Sequence, residues 1–182
     1  TINLLGANGS AASATNPVSI PFRSGTLTTG TPLWGIVTGA LSVVVPSAAT
    51  FGTSNNVPFR IWIFATYNAG VPQLGVATCS LASTPTIYPC AAWESVRKTT
   101  IAVDGFSTSA GVLYATAAVS NDAVRIIGFC DYASGLATAG AWASACTTLQ
   151  VMGPGIKKPG DVVQAIYATT TTAGTTASAT FA

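Results

Sequence analysis

The sequence predicts an all-β protein, an antiparallel β-sandwich of jelly-roll type that associates with copies of itself. Short apolar runs alternate with period two, turn residues separate them at near-regular intervals, and no segment carries a helical apolar stripe of convincing length. At 182 residues the chain fits one domain. A chain of this size hides roughly 70% of its unfolded surface, so folding requires neither a metal nor a disulfide staple.

Residues 1–32 are rich in Ser, Thr, Gly, Ala and Asn, with apolar islands at 2–5 and 18–22. The first 20 read as an extended arm or edge strand, 21–152 as the sandwich domain, and 153–182 as a Gly/Pro linker with a C-terminal strand or tail. The first strong strand is expected at 39–45, ended by Pro46 and Ser47. FRIWIFATY, residues 59–67, places Phe59, Ile61, Ile63, Ala65 and Tyr67 on one face and Arg60, Trp62, Phe64 and Thr66 on the other. Both faces are largely apolar, which predicts cover on both sides, by an opposing sheet and by a neighbouring chain.

Asn68, Ala69 and Gly70 supply hairpin-turn chemistry, with the return strand at 71–79. AAWESVRKTT, residues 91–100, is expected to form one helical turn. VLYATAAV (112–119) and VRIIGFCDY (124–132) read as strands joined by a turn at Ser120, Asn121 and Asp122. TTLQVMG (147–153) and VVQAIYATTTT (162–172) complete the series.

Composition narrows the function classes. Only 7% of residues are charged, and the formal net charge is +2. Ordinary soluble domains carry about 25% charged residues. A nucleic-acid partner, which needs a basic patch, is therefore not expected. The chain has 27 Thr and 16 Ser, so hydroxyls and backbone must provide solubility. Weak self-repulsion favours contact between copies. The longest apolar run, 33–45, is broken by Gly35, Thr38, Gly39 and Ser42 and falls short of the roughly 20 residues a membrane span requires. No basic stretch precedes an apolar one near the N-terminus, so no signal peptide is expected. The opening on Thr1 fits a processed product or one portion of a longer protein.

Four cysteines stand at 79, 90, 130 and 146, with no C-x-x-C pair and no histidine to complete a mixed zinc site, so no metal is expected. They are either buried free thiols or disulfides. Four cysteines allow three connectivities, of which Cys79 with Cys90 and Cys130 with Cys146 is favoured because each closes a short loop. Pairing between subunits is a further alternative.

Catalysis has little to draw on. Without histidine, Ser-His-Asp and Cys-His arrangements are excluded within one chain. A carboxylate pair would have to come from Glu94, Asp104, Asp122, Asp131 and Asp161. Asp104 and Asp122 sit in turn contexts, and Glu94 lies close to Arg97 and Lys98. GPGIKKPGDVVQ, residues 153–164, lacks the order of a phosphate loop. No enzyme activity and no cofactor are expected. Asn8-Gly9-Ser10 matches a glycosylation sequon that nothing else supports. Trp34, Trp62, Trp93 and Trp142 could stack on sugar rings, but core or interface packing is the simpler reading. Trp93 and Trp142 remain the candidate glycan contacts.

PFRSGTLTTGTPLWG (21–35), VPSAATFGT (45–53), FRIWIFATYNAGVPQLGV (59–76), AGVLYATAAVSNDAVRIIGF (110–129), LATAGAWA (136–143) and GPGIKKPGDVVQ (153–164) together resemble a β-rich domain of structural proteins of tailed bacteriophages, found in or beside tail-fibre and other virion-appendage proteins. The resemblance covers roughly residue 20 to the end. It implies a non-enzymatic virion structural protein, made in the bacterial host cytoplasm and carried on the extracellular particle. A homotrimer touching other virion proteins is implied, as in phage fibres. A host-receptor or glycan-binding module of a tail fibre and a capsid decoration protein are the alternatives. It also makes 153–164 a stiff linker, with Lys157 and Lys158 either solvent-facing or paired across a subunit boundary with acids such as Asp161. Trp62 and Phe64 are the further interface candidates.

Overall fold

The computed structural model describes residues 1–23, 32–78 and 96–152. Among these residues there is no helix, and the strands are joined almost wholly antiparallel, as the all-β reading expects. The expected strand at 162–172 lies outside the described residues.

The longest strands organise the molecule. β5 (Phe59–Asn68) and β10 (Asp122–Tyr132) pair antiparallel at the centre of a seven-stranded sheet. β6 (Val71–Ala77) flanks β5 on its other side, followed by β9 (Tyr114–Ala115) and β8 (Ile101–Ala102), the last two running parallel. The far edge of β10 is shared by two short strands. β7 (Val96–Lys98) covers Asp122 to Val124, and β11 (Thr148–Val151) covers Gly128 to Asp131. The pairing of β10 with β5 slips between Ile126 and Gly128, and the Ile127 carbonyl left by this bulge accepts a hydrogen bond from the Met152 N–H at 2.7 Å.

Alternation puts Phe59, Ile61, Ala65 and Tyr67 of β5 into one core, where they meet Leu74, Val76 and Tyr114. Two small sheets contribute to the same core. β1 (Ile2–Leu4) pairs with β4 (Leu41–Val43), and β2 (Val18–Arg23) pairs with β3 (Pro32–Val37). Ile20, Phe22, Val37 and Val43 are their buried side chains. Arg125 ties β10 to β2, donating from Nη1 to the Pro21 carbonyl at 2.8 Å, and burial lowers its pKa. Phe64, Val124 and Ile126 point to the other face and pack with Ala77, Leu113 and Ala115.

Within the stretch expected as an extended arm or edge strand, residues 2–4 and 18–23 are strands with partners. Other expectations need correction. The strand expected at 39–45 shortens to Leu41–Val43, and that at 112–119 to Tyr114–Ala115. Residues 96–98 of the expected helical turn are strand β7, while 91–95 lie outside the described residues. The β5–β6 turn shifts by one position. Asn68 pairs with Val71 as a strand residue, and Ala69 (φ 47°) and Gly70 (φ 95°) are the two positive-φ residues of a two-residue loop. Both faces of β5 are indeed covered in its middle, but by this chain itself. Phe64, Ala65 and Thr66 are each fully buried without a neighbouring molecule.

The hydroxyls expected to face water are partly internal. Thr66, Thr78, Thr100 and Ser107 are buried, and each satisfies its side-chain oxygen. Thr66 donates to the Ala123 carbonyl at 3.0 Å, and Thr78 to the Phe51 carbonyl at 2.5 Å. The first joins β5 to β10 and the second joins the end of β6 to a loop; an apolar side chain of similar size at either place would form no such bond. Asp104 is the turn residue expected, its Oδ1 accepting from the Phe106 N–H and the Ser107 hydroxyl.

Candidate functional site

A cleft of about 400 Å³ opens at one end of the large sheet. Its floor is the β5–β10–β11 register, which sets Ile61, Cys130 and Leu149 side by side on one face. One wall is β1, and the other is the segment between β10 and β11 that carries Trp142 and Cys146. Ala133 and Thr147 hold that segment's ends together, since the Ala133 N–H donates to Thr147 Oγ1 at 3.0 Å and the Thr147 N–H to the Asp131 carbonyl at 2.7 Å.

Aromatic rings build the wall. Tyr132 stacks on Phe59 at 4.7 Å, and Trp142 meets both edge-on at 5.8 and 5.9 Å. Phe51 continues the assembly inward, 5.6 Å from Trp142 and 5.3 Å from Tyr114. Offset and edge-to-face contacts of this kind are the favoured aromatic geometries. The Trp142 Nε1–H donates to the Ala49 carbonyl at 2.9 Å. Trp142, a candidate glycan contact from sequence, is thus half-buried with its polar atom already bonded inside the chain.

Two thiols share the cleft. Cys130 is buried and Cys146 half-buried, and both are free thiols lining the same cleft. Burial pushes the Cys130 thiol up to about 12, with the contact and charge of Cys146 and the charge of Asp131 adding to it. Tyr132 is raised by burial and by the two cysteines. Among the described residues no carboxylate lines the cleft, and no cluster of three or more metal-ligating side chains occurs. The arrangement suits apolar contact and thiol chemistry.

The opposite face of the same strands carries a charged and aromatic group. Arg60 forms a two-pronged ion pair with Asp131, Nε to Oδ1 at 2.6 Å and Nη2 to Oδ2 at 2.8 Å. Its guanidinium lies 3.7 Å from the centre of the Phe129 ring and 5.2 Å from that of Trp62. Trp62, expected at a subunit interface, is half-buried here and meets Phe129 edge-on at 5.5 Å. Phe64, the other interface candidate, is fully buried within the chain. A second carboxylate to complete a hydrolytic pair with Asp131 does not come from Asp122, which lies nine residues away along one strand. That separation is roughly 30 Å at the usual strand rise, far beyond the ~5–9.5 Å of glycosidase pairs.

Asp131 yields a prediction with a defined sign. The hydrogen bond and charge of Arg60 lower its pKa, so its contribution exists above the unfolded carboxylate value near ~3.9 and is lost as pH falls through the folded value. Asp131→Asn should therefore cost about 1 kcal/mol or less at pH 7, since the pair is partly exposed, and that cost should vanish as pH falls through the folded value. Urea melts of both proteins across pH would show the two stabilities converging in acid; a gap that persists unchanged there would remove the charge from the explanation.

Cys79, Cys90, Trp93, Lys157, Lys158 and Asp161 lie outside the described residues. Sequence reasoning weighed Asp131 only as a candidate carboxylate and missed its grouping with Arg60 and Phe129, which depends on strand register, although the alternation of β5 and β10 already put each on a definable face. No family model matches the chain, and neither does any curated protein or solved structure. No helix among the described residues is long and apolar enough to cross a membrane.

Proposed function

We propose that this chain is a non-enzymatic structural component of a bacteriophage virion, of the fibre or appendage type, which assembles by burying apolar β surfaces between copies. The observation that carries the reading is the pair of large apolar surfaces left open on strands. On β3, Trp34 and Ile36 point outward with 59% and 49% of their surfaces exposed. On the edge strand β11, Leu149 and Val151 are 61% and 59% exposed. An edge with exposed apolar side chains and no charge or proline is open to association, and β11, though only four residues long, carries neither. The small charged fraction acts in the same direction. The sandwich reading draws support from the two small sheets, which share one core with a face of the large sheet.

Light scattering on the purified chain at micromolar concentration is expected to give an oligomer, with a trimer as the fibre-type outcome. Val151→Lys and Trp34→Ser should shift it towards monomer by placing a charge or a hydroxyl in the contact. A stable wild-type monomer at that concentration would overturn the assembly reading.

A further inference from the structure

We propose that Cys130 and Cys146 form a redox site, a dithiol that becomes an intrachain disulfide by exchange with a low-molecular-weight disulfide of the glutathione class, tying the 133–147 segment to β10 across the cleft. The proposal stands independently of the assembly reading. Its basis is spatial: both thiols line one cleft, Cys130 on its floor and Cys146 on the wall facing β1, one residue from Thr147, whose N–H donates to the carbonyl of Asp131, the neighbour of Cys130. Segment ends already held by the Ala133–Thr147 and Thr147–Asp131 bonds limit how far the backbone must shift when the bond forms.

The order of events follows from accessibility. Cys146 is the more exposed thiol, and the buried Cys130 retains its proton to about 12. Cys146, as thiolate, attacks one sulfur of glutathione disulfide, and the glutathione S–S bond breaks with release of one glutathione thiolate. Cys130 then loses its proton to solvent and attacks the Cys146 sulfur, releasing the second glutathione. Two protein thiols are oxidised, one glutathione disulfide is reduced to two glutathiones, and the two protons lost by the protein are taken up by the two thiolates released. Proximity of the second thiol makes the mixed disulfide short-lived.

The sequence permits a test on the unmodified protein. Trypsin leaves Cys130 and Cys146 together on peptide 126–157 and Cys79 and Cys90 on peptide 61–97. After the native chain is exposed to oxidised glutathione and quenched with an alkylating reagent, peptide 126–157 should be two hydrogens lighter than its reduced form. It should carry neither alkyl group nor glutathione. Retention of two alkylatable thiols, glutathione on both, or a cross-link to peptide 61–97 would overturn the proposal. Cys130→Ala should hold one glutathione on Cys146, whereas Cys146→Ala should leave Cys130 unmodified; the reverse pattern would sink the proposed order of attack. Closing a loop of this length should raise the melting temperature by roughly 5–10 °C. An unchanged melting temperature would overturn the tie between the segment and β10.

Discussion

Gly75→Ala is expected to destabilise the chain by about 3 kcal/mol, at the upper end of what overpacking costs. A methyl group at this position would lie 2.2 Å from Phe64 Cζ, 2.5 Å from its Cε2 and 2.6 Å from the Tyr114 carbonyl oxygen. The ring has no room to withdraw, because Phe64 is fully buried among Ala77, Leu113, Val124 and Ile126. Nor can the carbonyl, which belongs to the strand hydrogen-bonded beside β6. The result would invert the usual trend, since replacing glycine within a strand by alanine ordinarily gains roughly 0.5–1 kcal/mol. Gly39→Ala is the internal control. Nothing lies within 4 Å of its added methyl, so that change should be neutral or slightly stabilising. Urea unfolding of the two variants, with m held constant, would separate them by roughly 1–3 M in midpoint. Phe64→Leu combined with Gly75→Ala should recover part of the loss, because only the ring contact is relieved and the carbonyl contact stays. Equal stability of the two alanine variants would mean that β6 and β9 can separate, contrary to their register.

The seat of Phe64 was half legible in the sequence. Strict alternation over 59–67 placed Phe64 opposite Ile61 and Ala65, and the structure keeps that assignment. What alternation could not supply was the identity of the neighbour. An apolar second face signals cover, and both a partner chain and the same chain satisfy that condition equally well. The same limit governs the cleft. The spacing of Cys130 and Cys146 favoured a local pair, because a short loop closes at little entropic cost. That β1 supplies the opposite wall depends on its pairing with Leu41 to Val43, some forty residues away, which no local pattern encodes. Arg60 and Asp131 are separated by 71 residues and meet only because the β5–β10 register sets them opposite one another. Short strands failed for a different reason. Tyr114 and Ala115 lie in a run with strong β propensity, yet only those two residues hold regular strand pairing with β6 and β8, and propensity counts residues without counting partners.

Phe51→Ala is expected to cost about 3–5 kcal/mol, the range for removing a buried aromatic ring. Phe51 is fully buried and joins two parts of the molecule, touching Tyr114 beneath it and Trp142 in the cleft wall. Its loss should loosen the aromatic wall, which near-ultraviolet circular dichroism would register through Trp142. Its backbone adds a second, separable effect. At φ 51° a bulky side chain occupies the left-handed region, and two hydrogen bonds fix it there: its N–H donates to the Ser107 carbonyl at 2.9 Å, and its own carbonyl accepts from Thr78. Leaving a non-glycine residue in that region costs roughly 1–2 kcal/mol. Glycine is free of that cost, although it loses more chain entropy on folding by about 0.5–1 kcal/mol. The two terms oppose each other, so Phe51→Gly should be no less stable than Phe51→Ala even though it removes more of the side chain. If the glycine variant instead fell about 1 kcal/mol below the alanine variant, as in an ordinary strand or loop, the turn at residue 51 would be shown to relax. The positive φ would then be a consequence of the ring's packing and no part of what holds it.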